Sequence, residues 1–250
     1  MKLTRIDAGF LTKPLTHRGL HGDEIPENSR AAVIAAIDAG YGIELDLQLS
    51  ADNEAMIFHD YDMKNLTGAA GPIQRQTTQD LKNRLLANGE PVPALAEILT
   101  LVAGRAPLLL EIKDQDGALG PNVGRLEQRI AELVTAYNGP LAVMSLNPHS
   151  MFAMQKYAAS ISRGLVTAQF NASNWPLVPE SRRTELSGIP DFESCGACFV
   201  SHHFKHLEMP RVAEIKAAGA PVLCWTIKSQ TDEATARRIA DNITFEGYLP

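Results

Sequence analysis

Short apolar runs alternate with amphipathic stretches along nearly the whole chain. The runs at residues 14–17, 43–49, 107–112, 141–145, 164–168, 197–200, 222–227 and 243–245 predict eight strands. Between them, apolar positions recur three and four residues apart, the spacing that gives a helix one buried face. Helices are therefore expected over 28–39, 94–102, 122–137, 148–159, 211–218 and 232–240. The first of these has Asn28 or Ser29 to cap it and Gly40 just past its end.

The strand runs are apolar on both faces, as in a parallel sheet covered by helices. Eight such strands with intervening helices predict an α/β fold of the (β/α)8 TIM-barrel type. An open doubly wound sheet is the competitor. It often has a glycine-rich first turn, whereas the first turn here reads His17-Arg18-Gly19-Leu20-His21-Gly22-Asp23, and no phosphate-loop sequence occurs anywhere. Two stretches break the rhythm. Residues 60–93 are too long for a simple connection and predict a small insertion near the barrel mouth. Residues 171–193 carry Trp175, Pro176, Pro179 and Pro190 and are expected to form a long loop after the fifth strand.

Composition changes this picture little. The 250 residues, 45% of them hydrophobic, suffice for one sizeable core, so residues 1–250 are expected to form a single domain. A formal net charge of -6 argues against non-specific nucleic-acid binding. No apolar run is long enough to span a bilayer, so no stable membrane insertion is expected. The start, from Met1 to Asp7, lacks the apolar core of a secretory leader. That, with the odd cysteine count, points to the cytoplasm. Cys195 and Cys198 spell a Cys-x-x-Cys, and Cys224 lies in an apolar run. Zinc would need two further good ligands, so buried structural thiols are the expectation.

The candidate chemistry sits at predicted strand ends, where barrels place their active sites. His17 and Arg18 end the first strand. Glu44 and Asp46 are two apart on the second and share a face; Glu111 and Lys113 stand in the same relation on the third. His59 follows the apolar run Met56-Ile57-Phe58 and would reach back over the mouth. A buried carboxylate needs a partner or a metal. Three together predict a site for one divalent cation, and oxygen-only donors favour Mg2+ or Ca2+ over zinc. His17 and His59 suit general base and general acid work, in an order the residues leave open. Arg18 offers a bidentate fork for phosphate oxygens, and Lys113 a second positive charge. Glu27 is expected behind Arg18 or His17. Phe170 and Trp225, at the ends of later strands, and Glu246, after the last, are candidates for a substrate wall or mouth contacts. The set reads as metal-assisted cleavage of a phosphate ester.

These residues form a recognisable pattern. His17-Arg18-Gly19, Pro26-Glu27-Asn28-Ser29, Glu44-Leu45-Asp46, His59-Asp60 and Glu111-Ile112-Lys113 resemble the motifs of the glycerophosphodiester phosphodiesterases in order and spacing. Trp225-Thr226 and the ending from Asp241 to Glu246 resemble that family's last two strands, so the likeness spans essentially the whole chain. It implies a (β/α)8 barrel with an insertion after the second strand, a divalent metal on Glu44, Asp46 and Glu111, acid–base histidines at His17 and His59, and phosphate contacts from Arg18 and Lys113. The implied reaction releases sn-glycerol 3-phosphate and an alcohol from a small glycerophosphodiester. Either the substrate's own hydroxyl, through a cyclic phosphate, or water makes the first attack. The chain departs from the family in Asp62-Met63-Lys64-Asn65 after His59-Asp60, and in Phe245-Glu246 where Thr-Asp is usual. Both changes lie near the mouth and bear on substrate preference. The rivals are a lipid-headgroup phosphodiesterase of the lysophospholipase D kind, a magnesium barrel enzyme acting on an enolisable acid, and a non-catalytic phosphodiester-binding protein.

Overall fold

The computed structural model describes residues 5–250. Its strands are β1 (Leu15–Thr16), β2 (Gly42–Leu49), β3 (Ala55–Ile57), β4 (Leu108–Ile112), β5 (Leu141–Ser145), β6 (Ser162–Thr167), β7 (Phe199–His203), β8 (Val222–Ile227) and β9 (Asn242–Phe245). Its helices are α1 (Gly9–Thr12), α2 (Arg30–Asp38), α3 (Lys64–Thr67), α4 (Thr78–Leu81), α5 (Leu95–Val102), α6 (Arg125–Val134), α7 (Pro148–Tyr157), α8 (Glu180–Ser187), α9 (Pro210–Ala217) and α10 (Gln230–Ala236).

Eight parallel strands follow one another in the order β1, β9, β8, β7, β6, β5, β4, β2, and β1 pairs with β2 to close the ring. This is the expected (β/α)8 barrel. Side chains alternate strictly along each strand. Ile43, Leu45, Leu47 and Leu49 of β2, with Leu108, Leu110 and Ile112 of β4, face the helix layer and join the main apolar cluster. The opposite set faces the barrel axis. Toward the bottom it is apolar: Leu15, Leu109, Ala142, Met144, Phe199 and Leu223 pack together with Phe10 of α1. Asn242 pins that plug by donating to the carbonyls of Phe10 and Lys13 at 2.7 and 2.6 Å. At the top, the same inward rows continue as Glu44, Asp46, Glu111 and Lys113.

The strand outside the ring, β3, explains the reach of His59. Because β1 is only two residues long, the upper part of β2 has a free edge. The chain turns after Leu49, and β3 pairs antiparallel on that edge, with Leu47 opposite Ile57. The Phe58 amide then bonds to the Asp46 carbonyl at 3.0 Å. The hairpin thus returns the chain to the level of Asp46, and His59 comes next. Behind it, α3, α4 and the turn Ile73–Arg75 gather around a separate apolar cluster that includes Met56, Phe58, Met63, Ile73 and Leu81.

Several expected boundaries move. Helix α2 starts at Arg30 because Ser29 is the cap, its hydroxyl accepting from the Ala32 amide at 3.0 Å. The stretch 171–193, expected as a loop, contains α8, a polar helix that buries only Leu186. His202 and His203 lie within β7 rather than after it. His202 points outward, with its Nδ1 2.7 Å from the Thr167 hydroxyl. The three cysteines are free and buried, and burial pushes the thiols of Cys195 and Cys224 up to about 11 and 12. No helix among the described residues is long and apolar enough to cross a membrane.

Candidate active site

The upper ends of β1, β2, β4, β8 and β9 open into a cleft of about 1060 Å³ whose walls include His17, Arg18, Asp46, His59, Glu111 and Lys113. Strand register builds its floor. Asp46 lies opposite Glu111 across the β2–β4 pair, and Glu44 is two residues below Asp46 on the same face. Carboxylate oxygens of Glu44, Asp46 and Glu111 all come within 4.8 Å of one another.

Charge and burial conflict at this floor. Glu44 and Asp46 are each 1% exposed. Burial pushes the Glu44 carboxyl well up, and the negative charges of Asp46 and Glu111 push it further. Its Oε2 accepts from the Arg18 amide at 3.0 Å, while Oε1 is buried with no hydrogen-bond partner among the described residues. Burial also opposes charge on Asp46, but Lys113, His59 and Arg18 outweigh it and hold this carboxyl below the usual range. Lys113 Nζ lies 2.8 Å from Glu111 and 3.4 Å from Asp46. Those two carboxylates overcome its desolvation and keep it firmly protonated. Three oxygen ligands, one with an unfilled lone pair, converge on one buried point. The donor set therefore fits a hard divalent cation, which would relieve the repulsion that burial magnifies.

Arg18 is fixed from several sides. Its guanidinium Nη1 donates to both Glu27 oxygens at 2.8 and 3.0 Å, and Nε sits 3.4 Å from Asp46. Burial works against its charge, yet Asp46, Glu27 and Glu44 raise it above the ordinary arginine range. Its backbone is left-handed, φ 57°, as is that of Asn28, φ 54°. The two strained residues brace each other through the Asn28 amide and the Arg18 carbonyl, 2.8 Å apart.

Each histidine is oriented by a carboxylate. The main-chain pairing of His17 with Phe245 at the β1–β9 seam brings its Nδ1 onto Glu246, which also pairs with Lys228. Burial lowers His17 and prevails over the pull of Glu246, so the ring is neutral near pH 7. With Nδ1–H given to Glu246, the lone pair sits on Nε2. His59 Nδ1 lies 2.7 Å from Asp60, which also accepts from Asn65 at 2.9 Å. Burial opposes the Asp60 charge, but His59 and Asn65 hold it ionised.

The remaining expected residues divide. Trp225 lines the cleft, its Nε1 donating to the Ser201 carbonyl at 3.0 Å. Glu27 and Glu246 line it too, each gripping a site residue. Phe170 does not line it: it is buried under Trp175, ring centres 4.9 Å apart. Asn28, from the sequence only a candidate cap, contacts Asp46 and leaves the cap to Ser29. Asp60 and Lys228 are further contacts of the site residues. The Asp60 contact has a signal in the sequence, a carboxylate adjoining a strand-end histidine; the Lys228 contact has none.

Known proteins resemble this chain in sequence and in fold. The model of the glycerophosphoryl diester phosphodiesterase family matches residues 17–243. A glycerophosphodiester phosphodiesterase of Caldanaerobacter subterraneus is 29% identical over 234 residues, 88% of each chain. Among solved structures, an Oleispira antarctica phosphodiesterase in complex with the product sn-glycerol-3-phosphate superposes with a TM-score of 0.78 at 23% identity, covering 95% of this chain and 93% of that one. A glycerophosphodiester phosphodiesterase from Thermotoga maritima gives 0.70 at 21% identity, with 92% of each chain covered. At these identities the two structures speak for a shared fold.

Proposed function

This chain belongs to the glycerophosphoryl diester phosphodiesterase family, and from that membership we propose that it hydrolyses glycerophosphodiesters to sn-glycerol 3-phosphate and an alcohol. The observation that carries the reading is the meeting, in one cleft, of two carboxylate-oriented imidazoles with the Glu44–Asp46–Glu111 cluster.

Glu44, Asp46 and Glu111 would hold one hard divalent cation, Mg2+ or Ca2+, which supplies positive charge to a phosphate oxygen when bound. Arg18 and Lys113 face the same anion from the protein side. His17, neutral with its lone pair on Nε2, takes the proton from the attacking oxygen, whether that is a glycerol hydroxyl or water. His59, whose Nδ1 rests on Asp60, gives a proton to the departing alkoxide. Glu27 keeps the Arg18 fork in place, and Trp225 forms part of the wall beside the alcohol. The bound product of the Oleispira antarctica protein is consistent with this substrate class.

A second reading concerns the alcohol. Leu177, 82% exposed, stands at the cleft rim beside Trp175 and Pro176. An apolar rim favours an alcohol that carries an acyl chain, so lysophospholipids are the alternative class.

The test is release of sn-glycerol 3-phosphate from a panel of glycerophosphodiesters and lysophospholipids, with magnesium, calcium or chelator, beside the His17→Ala protein. Metal-dependent release that disappears in the variant supports the reading. No release from any member refutes it.

A further inference from the structure

The cleft holds another group of converging ligand atoms apart from the acidic floor. One atom each of His17, His21 and Glu246 lies within 4.8 Å of the others. His21 is carried by the first turn, where its amide bonds to the Gly19 carbonyl at 3.0 Å. Its Nε2 lies 3.8 Å from Glu246 Oε2, beyond hydrogen-bond range, and is buried with no partner among the described residues. Glu246 turns Oε2 toward both rings and Oε1 toward Lys228.

We propose that His17, His21 and Glu246 form a second cation site, for a borderline-soft transition ion such as zinc, and that filling it silences the enzyme. Two imidazole nitrogens and one carboxylate oxygen are a donor set that zinc takes with a fourth position left open. Magnesium and calcium prefer the all-oxygen floor, so the two sites sort cations by chemistry. All three residues border the cleft, which gives the ion a path in. Lys228 competes for Glu246, but its side chain is 65% exposed and its ammonium can exchange that contact for water.

The silencing follows from the imidazole itself and rests on the phosphodiesterase reading above. A neutral ring has one proton. An ion on Nδ1 takes the lone pair that the Nδ1 proton would otherwise occupy, so the proton moves to Nε2. That nitrogen then has no lone pair for the attacking oxygen's proton. No proton is gained or lost by the ring, and no other reactant is needed.

Binding can be tested without turnover. The full chain, saturated with calcium to occupy the floor, is titrated with Co2+ as a spectroscopic substitute for zinc, and its visible ligand-field absorption is followed. Zinc is then added to displace it. We expect one Co2+ per chain in the wild type and in Glu44→Gln. His21→Gln, its fold checked by circular dichroism, should bind at least about tenfold more weakly. Lys228→Gln, a surface change, should bind several-fold more tightly. Absence of a ligand-field band in the wild type would overturn the site. So would a band unchanged in His21→Gln, a band lost in Glu44→Gln, or no tightening in Lys228→Gln. A protein that shows the band yet releases no sn-glycerol 3-phosphate would fail the activity reading and keep the site.

Discussion

Asn28 holds Asp46 at two points: its Oδ1 accepts from the Asp46 amide at 3.2 Å, and its Nδ2 donates to the Asp46 carboxylate at 3.0 Å. The clamp fixes the rotation of a carboxylate that must also face Glu111. Asn28→Ala removes both contacts and leaves a non-glycine residue at φ 54°. Calcium affinity, measured by calorimetry, should fall by about 10- to 100-fold, the usual loss when a ligand's supporting hydrogen bonds go. An unchanged affinity would show that register alone positions Asp46.

The two histidines should separate by leaving group. His17→Ala and His59→Ala should each lower turnover of a glycerophosphodiester by about 10²- to 10⁴-fold while leaving calcium affinity intact. A substrate that releases a nitrophenol needs no proton on departure. On it, His59→Ala should recover most of its activity and His17→Ala should not. The reverse pattern would exchange the assignments of base and acid.

Glu44→Gln should move stability in opposite directions with and without metal. The Glu44 carboxyl is pushed up by burial and by Asp46 and Glu111, so its ionisation costs the folded state more as pH rises above the ordinary carboxylate range. A neutral amide removes that cost. In chelator at pH 7 the variant should melt higher than the wild type, and it should lose most of the calcium-induced rise in Tm. Scanning calorimetry with and without calcium checks both halves.

How far the sequence foretells this architecture depends on burial. Residues 141–145 and 222–227 are legible to their ends because each is a run apolar but for one residue, Ser145 or Thr226, in a two-sided sheet. The carboxylate floor is legible too, since charges spaced two apart on such runs must share the inward face. Helix α8 is not: with only Leu186 buried, it has no apolar stripe to announce it. Phe170 looks like a wall residue from its place after a strand, but its backbone is left-handed, φ 50°, and it lies against Trp175. The grip of Asn28 on Asp46 depends on a turn geometry that no residue spacing reveals.

His202 should make the fold acid-sensitive apart from the catalytic centre. It is fully buried against Thr167, and burial, with His206 and His203 nearby, lowers it to about 4. The unfolded chain binds a proton near pH 6.5 and the folded one does not, so stability is lost as pH falls from about 6.5 toward 4. The upper bound is about 3 kcal/mol. Urea unfolding of the wild type and His202→Gln at pH 7 and 4.5 should show the larger acid loss in the wild type.

The two imidazoles stand on different foundations. His17 rises from the barrel wall itself, locked at the β1–β9 seam. His59 arrives on a hairpin whose far side is moored to the small cluster around Met63, Ile73 and Leu81. Substitutions that repack that cluster can shift one imidazole relative to the other without disturbing the register of Asp46 and Glu111. The insertion thus gives natural variation, or a designer, a way to fit a different alcohol while the cation's seat stays where the barrel put it.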